Sequence, residues 1–101
     1  MSALPIEPAA PANEPRDTRL RRLRMRSMRR GIKEMDLILQ DFAQRRLADM
    51  SDADLALYDR LLSENDHDLY AWVAGAGQAP EPYRALVAEI AEGARGVTRP
   101  G

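Results

Sequence analysis

The chain has 101 residues, no cysteine and a formal net charge of −1 at pH 7. That length is enough for one domain with a modest core. The lack of cysteine excludes a disulfide framework, a thiolate nucleophile and any cysteine-based zinc or iron–sulfur site. No run of about 18 apolar residues occurs, so no transmembrane helix is expected. Alanine, leucine and arginine are prominent and β-branched residues are scarce, a balance that favours helix over strand.

Residues 1–16 are rich in proline and alanine and have few large apolar groups. They cannot bury enough surface to offset the entropy of ordering, so a disordered segment is expected there. Met1 to Pro15 has no apolar core of a signal peptide, and Glu7, Glu14 and Asp17 argue against a transit peptide. A bacterial cytoplasmic location is the expectation that follows. Between Arg16 and Lys33 lie nine basic residues and one acid, Asp17, whereas acids outnumber bases afterwards. The molecule should be dipolar, with a basic front and an acidic body.

The first helix is expected from about Asp17 to Arg30. Leu20, Leu23 and Met28 give it a sparse apolar stripe, and the arginines fill its other faces. Gly31 interrupts it and suggests a chain reversal there. In the second helix, from about Lys33 to Leu47, Met35, Ile38, Leu39 and Phe42 recur at i, i+3, i+4 and i+7. Ser51 is the N-cap candidate of a third helix, whose buried stripe is Leu55, Tyr58, Leu61 and Leu62. Asp66 is the cap candidate of a short fourth helix with Leu69, Trp72 and Val73, ended by Gly75-Ala76-Gly77. Pro80 and Pro82 precede a fifth helix that carries Tyr83, Leu86, Val87, Ile90 and Ala94. Gly93, Gly96 and Pro100 mark its fraying end.

None of these helices is long enough to be stable alone. Packed stripes with short connections predict an all-α fold, an antiparallel bundle of about five helices over residues 17–95 with a flexible tail at 96–101. As the largest apolar group, Trp72 is expected at the centre of the core, where truncation to alanine costs about 3–5 kcal/mol.

Catalytic chemistry is hard to find. His67 is flanked by Asp66 and Asp68 and has no second histidine with which to hold a metal, so a solvated or capping role is expected. The acids from Asp59 to Asp68 lack the spacing and central glycine of a calcium loop. Gly75 and Gly77 follow a helix and form no phosphate loop. Ser27, Ser51 and Ser63 have no base placed to activate them. The expectation is a non-enzyme with no catalytic residue and no metal.

The arginine-rich first helix admits three readings. Arginines attract phosphate, so a nucleic-acid-binding or regulatory module is the alternative function. It ranks below the others, because no aromatic residue is interleaved to stack on bases. A solvated helix face and a surface steering towards an acidic partner fit the charges equally well.

The segment Arg29-Arg30-Gly31-Ile32-Lys33-Glu34-Met35-Asp36 stands at the junction of the first two helices. By itself it is a helix break with a weak i,i+4 pair between Arg30 and Glu34, worth a few tenths of a kcal/mol. In its setting it resembles the R-G-x-x-E hallmark of the SdhE-type family of succinate dehydrogenase flavinylation factors, or FAD assembly factors. The later features also resemble that family in order: Tyr58-Asp59-Arg60-Leu61-Leu62, then Asn65-Asp66-His67-Asp68-Leu69-Tyr70-Ala71-Trp72. The resemblance covers about Thr18 to Glu92 and leaves the Pro/Ala-rich head outside.

Such a resemblance implies a small five-helix protein that binds the flavoprotein subunit of succinate dehydrogenase or fumarate reductase. It implies that the protein promotes covalent attachment of FAD to a histidine of that subunit. FAD would be carried by the partner, and no cofactor would be held stably by this chain. No nucleic acid and no membrane insertion are expected, and the free protein is expected to be a monomer. The partner-binding residues implied are Arg29, Arg30, Gly31, Lys33, Glu34 and Asp36. Arg30 would offer a planar fork of donors to the partner, and Glu34 would accept hydrogen bonds on the same helical face. Gly31 would let its backbone lie close against the partner.

Overall fold

The computed structural model describes residues 14–98. Five α-helices follow one another: α1 (Arg16–Arg26), α2 (Lys33–Arg46), α3 (Asp52–Leu61), α4 (Asp66–Ala74) and α5 (Arg84–Thr98). One 3₁₀ turn (Leu47–Asp49) extends α2, and another (Glu81–Tyr83) leads into α5. Among the described residues there is no strand, as the all-α reading expected.

The periodic stripes became the core. Met35, Ile38, Leu39, Phe42 and Ala43 of α2 are buried, and α2 lies along α5, where Leu86, Val87, Ile90 and Ala94 are buried. From α3 come Leu55, Tyr58 and Leu61, joined by Leu62 just beyond it. Ser51 caps α3 through its side chain, which accepts the Asp54 N–H at 3.1 Å. Gly75 ends α4 with φ +83°, a left-handed conformation that glycine adopts without a Cβ penalty.

Several expectations are corrected. Helix α1 stops at Arg26, four residues before the expected end. There the Ser27 hydroxyl donates to the Leu23 carbonyl at 2.8 Å, and the positive φ of the connection falls at Arg29 (φ 57°), not at Gly31. Met28 therefore leaves the helical register and is exposed, while Ser27 takes the fully buried position. Asp66 does not cap α4. Asn65 does, accepting the His67 N–H at 2.8 Å, which leaves the Asp66 carboxylate free for other partners.

Trp72 is not the centre of the core. It is partly buried at the edge, its ring 6.1 Å from that of Tyr83. Helix α4 has only nine residues, so position 72 falls near its end, over the connection to α5. The interior aromatic pair is Tyr58 and Phe42, with ring centroids 5.4 Å apart. The loss for Trp72→Ala is accordingly set below the 3–5 kcal/mol first expected.

At the chain ends, residues 1–13 of the expected disordered segment and 99–101 of the expected tail lie outside the described residues. Order does reach into both. Glu14 is buried and Arg16 opens α1, while α5 continues past Gly93 and Gly96 to Thr98.

Candidate functional site

The connection between α1 and α2 carries Arg29, Arg30 and Gly31, and the first turn of α2 carries Lys33, Glu34 and Asp36. Two carboxylates from different helices hold it. Asp66, the first residue of α4, accepts from Arg30 Nε at 2.9 Å and pairs with the same guanidinium at 2.7 Å. Its second oxygen accepts the Gly31 N–H. Asp36, in the first turn of α2, accepts the Arg29 N–H at 2.6 Å and Gln40 Nε2 at 2.9 Å. The left-handed backbone at Arg29 is thus supported by a hydrogen bond to its own amide, which offsets part of its conformational cost.

Arg30 does not present a free fork. Besides Asp66, it donates to the Arg26 carbonyl at 2.9 Å and the Leu62 carbonyl at 3.0 Å, and its side chain is 12% exposed. Nor does it share a helical face with Glu34, because Arg30 precedes α2 in the connector. No ion pair joins the two among the described residues. The reason is reach: Asp66 and two carbonyls converge on Arg30, leaving Glu34 to solvent.

The six candidates therefore divide by role. Arg30, Gly31 and Asp36 build the loop from within. The side chains of Arg29, Lys33 and Glu34 are exposed and make no hydrogen bond or ion pair among the described residues. At Gly31 a Cβ would stand 3.0 Å from Asp66 Oδ2, closer than nine in ten real contacts. Only glycine lets that carboxylate rest on the amide without displacement.

Asp66 is the residue that sequence reasoning missed. The signal was present but misassigned: an acid directly after Asn65, an equally good N-cap, does not need to cap and can reach elsewhere. The floor of the connector was also missed. Ser27 spends its only proton on the Leu23 carbonyl, so the buried Tyr58 hydroxyl donates to Ser27 Oγ at 2.6 Å. Burial pushes the Tyr58 hydroxyl up to about 12.

The arginines of α1 differ from both leading readings. Arg16 bonds Asp52 at 2.9 Å and the Met50 carbonyl at 2.7 Å. Arg22 bridges Glu14 at 2.7 Å and Asp59 at 2.8 Å, and Arg26 pairs with Asp59 as well. Arg19 reaches Glu14 at 3.5 Å. With Arg30 on Asp66, these form a row of guanidinium groups facing α3 and the start of α4. Hydrogen bonds from Arg22 first, then its charge and Arg19, hold the Glu14 carboxyl below the usual carboxylate range. For Asp59 burial pulls upward, but Arg22 and Arg26 together bring it below its ordinary value. Five of the eight arginines between 16 and 30 are engaged in this way, which removes most of the basic surface that a nucleic-acid reading needs.

Among the described residues no cluster of three or more metal-ligating side chains occurs, and no helix is long and apolar enough to cross a membrane. His67 is exposed. Fold and site together define a small helical protein whose most closely fixed polar feature is a loop with uncommitted charged side chains beside it. A model of the family described as "Flavinator of succinate dehydrogenase" matches residues 21–94. The chain belongs to this family. It is 40% identical over 102 aligned positions to succinate dehydrogenase assembly factor 2-A, mitochondrial, of Drosophila persimilis, covering 95% of this chain and 63% of that protein. It is 45% identical to succinate dehydrogenase assembly factor 2, mitochondrial, of Meyerozyma guilliermondii, over 70% of this chain and 53% of that protein. The protein of that name from Komagataella phaffii is 46% identical over 68% of this chain and 36% of its own length. The chain thus spans less than two thirds of the length of these relatives.

Proposed function

We propose that this protein is a non-catalytic assembly factor that binds the flavoprotein subunit of succinate dehydrogenase, or of fumarate reductase, and promotes covalent attachment of FAD to it. Family membership supports the class of function. The observation that carries the site is the connector: Asp66 and Asp36 fix its backbone from inside, while Arg29, Lys33 and Glu34 keep side chains without a partner among the described residues beside the exposed Gly31. A rigid loop loses little entropy on docking, so more of its contact energy appears as affinity.

In this reading Glu34 accepts hydrogen bonds from the client, Arg29 and Lys33 border the contact, and the Gly31 backbone lies against it. Arg30 and Asp36 act from behind by holding the loop. The factor works by pre-organisation, favouring the client conformation in which attachment proceeds. FAD stays with the client, and the free factor is a monomer. The relatives carry mitochondrial names.

Co-expression with the flavoprotein subunit, in cells lacking their own factor, tests the proposal by in-gel flavin fluorescence. The wild-type chain should raise covalent flavin. Glu34→Ala should lower it while helical content stays unchanged, because that side chain has no partner among the described residues. Gly31→Arg should abolish it, by displacing Asp66 and by blocking the contact. Full flavinylation with both variants refutes the site, and no effect of the wild-type chain refutes the function.

A further inference from the structure

With five arginines turned inward, the outward face of α1 is a separate surface. Arg21, Arg24 and Met25 stand at steps of three and one on one side of α1, and Met28, in the exit from the helix, lines a groove together with Arg24. Met25 is 68% exposed and Met28 41%, two of the four large exposed hydrophobics of the described residues. Arg21 and Arg24 are exposed, and among the described residues neither makes an ion pair. A shallow groove runs from this face to α2, lined by Arg24, Met28, Gln40, Ala43 and Gln44, with no carboxylate in its wall. Leu37, 46% exposed, lies one turn before Gln40 on α2.

We infer that this face is a second docking surface, and that it takes an acidic, partly apolar patch on the same client flavoprotein. The inference rests on the function proposed above. Charge complementarity selects the occupant. Guanidinium groups that make no ion pair among the described residues attract carboxylates, Asp17 one turn before Arg21 being the one acid on this stripe of α1, and methionine fits apolar side chains of varied shape. A nucleic acid would leave the two methionines and Leu37 without apolar partners. A bilayer surface would call for Trp, Phe or Leu at positions 25 and 28. The face adjoins Arg29, so client contact would continue from the connector along α1. Its charges act over a longer range than the connector's hydrogen bonds and would speed encounter.

The test measures the Kd of the purified apo flavoprotein subunit for three forms of the full chain over a range of salt. They are wild type, Arg21→Glu/Arg24→Glu, and Arg60→Glu/Arg95→Glu, which has the same charge change on exposed residues elsewhere. The α1 pair should weaken binding by about tenfold or more at low salt and flatten its salt dependence. The amount of factor needed for half-maximal flavinylation should rise in parallel. Its melting temperature should match wild type, since neither arginine has an ion-pair partner among the described residues. Met25→Ser/Met28→Ser should weaken binding with the salt slope intact. Equal losses in both charge-reversed pairs reduce the effect to net charge and overturn the inference. So does an unchanged Kd in the α1 pair, or tighter binding of wild type to duplex DNA or anionic vesicles than to the client. If wild type neither binds nor flavinylates the subunit, the proposed function has failed and not merely this surface.

Discussion

Along α2 and α5 the buried side chains are Leu39, Phe42, Val87, Ile90 and their apolar neighbours, whereas guanidinium–carboxylate contacts tie α1 to α3 and the connector to α4. The first seam draws on removal of apolar surface from water, which depends little on pH or salt. The second uses groups that are 12–41% exposed on the arginine side, so each contact is partly screened and contributes modestly. Leu23 is the fully buried residue of α1, with Ser27 buried just beyond its end, so apolar contact alone gives that helix a small anchor. The connector sits at the end of the polar seam. The surface proposed for docking is therefore held by interactions that can be loosened without dissolving the core.

The largest effect should come from the apolar seam. Phe42→Ala removes a ring that is 1% exposed and packed on Tyr58, and should cost about 3–5 kcal/mol in chemical denaturation. Trp72→Ala, at the edge, should cost clearly less. If the two midpoints fall together, the placement of Phe42 at the centre and Trp72 at the margin is wrong.

The next effect lies where the seams meet, at Tyr58. Its hydroxyl titrates near 10.0 in the unfolded chain and is raised to about 12 in the fold, burial being the main cause. A raised folded value means that the stabilising contribution is complete below the unfolded value and is lost as pH rises towards the folded one. Stability should thus fall by roughly 2–3 kcal/mol between about pH 10 and 12. Tyr83 is raised too, by burial and by its hydrogen bond to Glu64, and adds to the loss with the same sign. Tyr58→Phe should flatten much of this alkaline slope. Ser27 keeps its bond to the Leu23 carbonyl in that variant, so no buried donor is orphaned. A slope as steep in Tyr58→Phe as in wild type would assign the titration to another group.

These two regions were unequally legible in the sequence. The apolar stripes were readable because helical period fixes which side chains share a face, and Met35, Ile38, Leu39 and Phe42 needed no partner to be recognised. Ser51 was readable as a cap for the same local reason. The polar seam was not, since it depends on which helices become neighbours. Asp52, Asp59 and Asp66 recur every seven residues, and each meets an arginine of α1 or of the connector, but neither list alone shows that they face one another. Trp72 was misplaced because size was taken as a measure of depth. The site was half legible: the segment was found, whereas the split between residues that face outward and residues that hold the loop required Asp66 in place.

The smallest change in stability should have the largest consequence for the loop. Asp66→Ala removes the acceptor of the Arg30 guanidinium and of the Gly31 amide at once, and leaves the partly buried Arg30 with two carbonyls. Charge-assisted bonds in a partly exposed setting make the expected loss about 1–2 kcal/mol, less than for Phe42→Ala. Yet hydrogen exchange at the Gly31 amide should accelerate far more than exchange in α2 or α5, because the amide loses its only acceptor among the described residues. Asp66→Asn keeps a carbonyl oxygen for one contact and should fall between the two forms in both measurements. Uniform acceleration across all helices would mean that Asp66 supports the fold as a whole. Acceleration confined to the connector would mean that the apolar seam stands without it, and that this carboxylate's task is to hold the loop in shape.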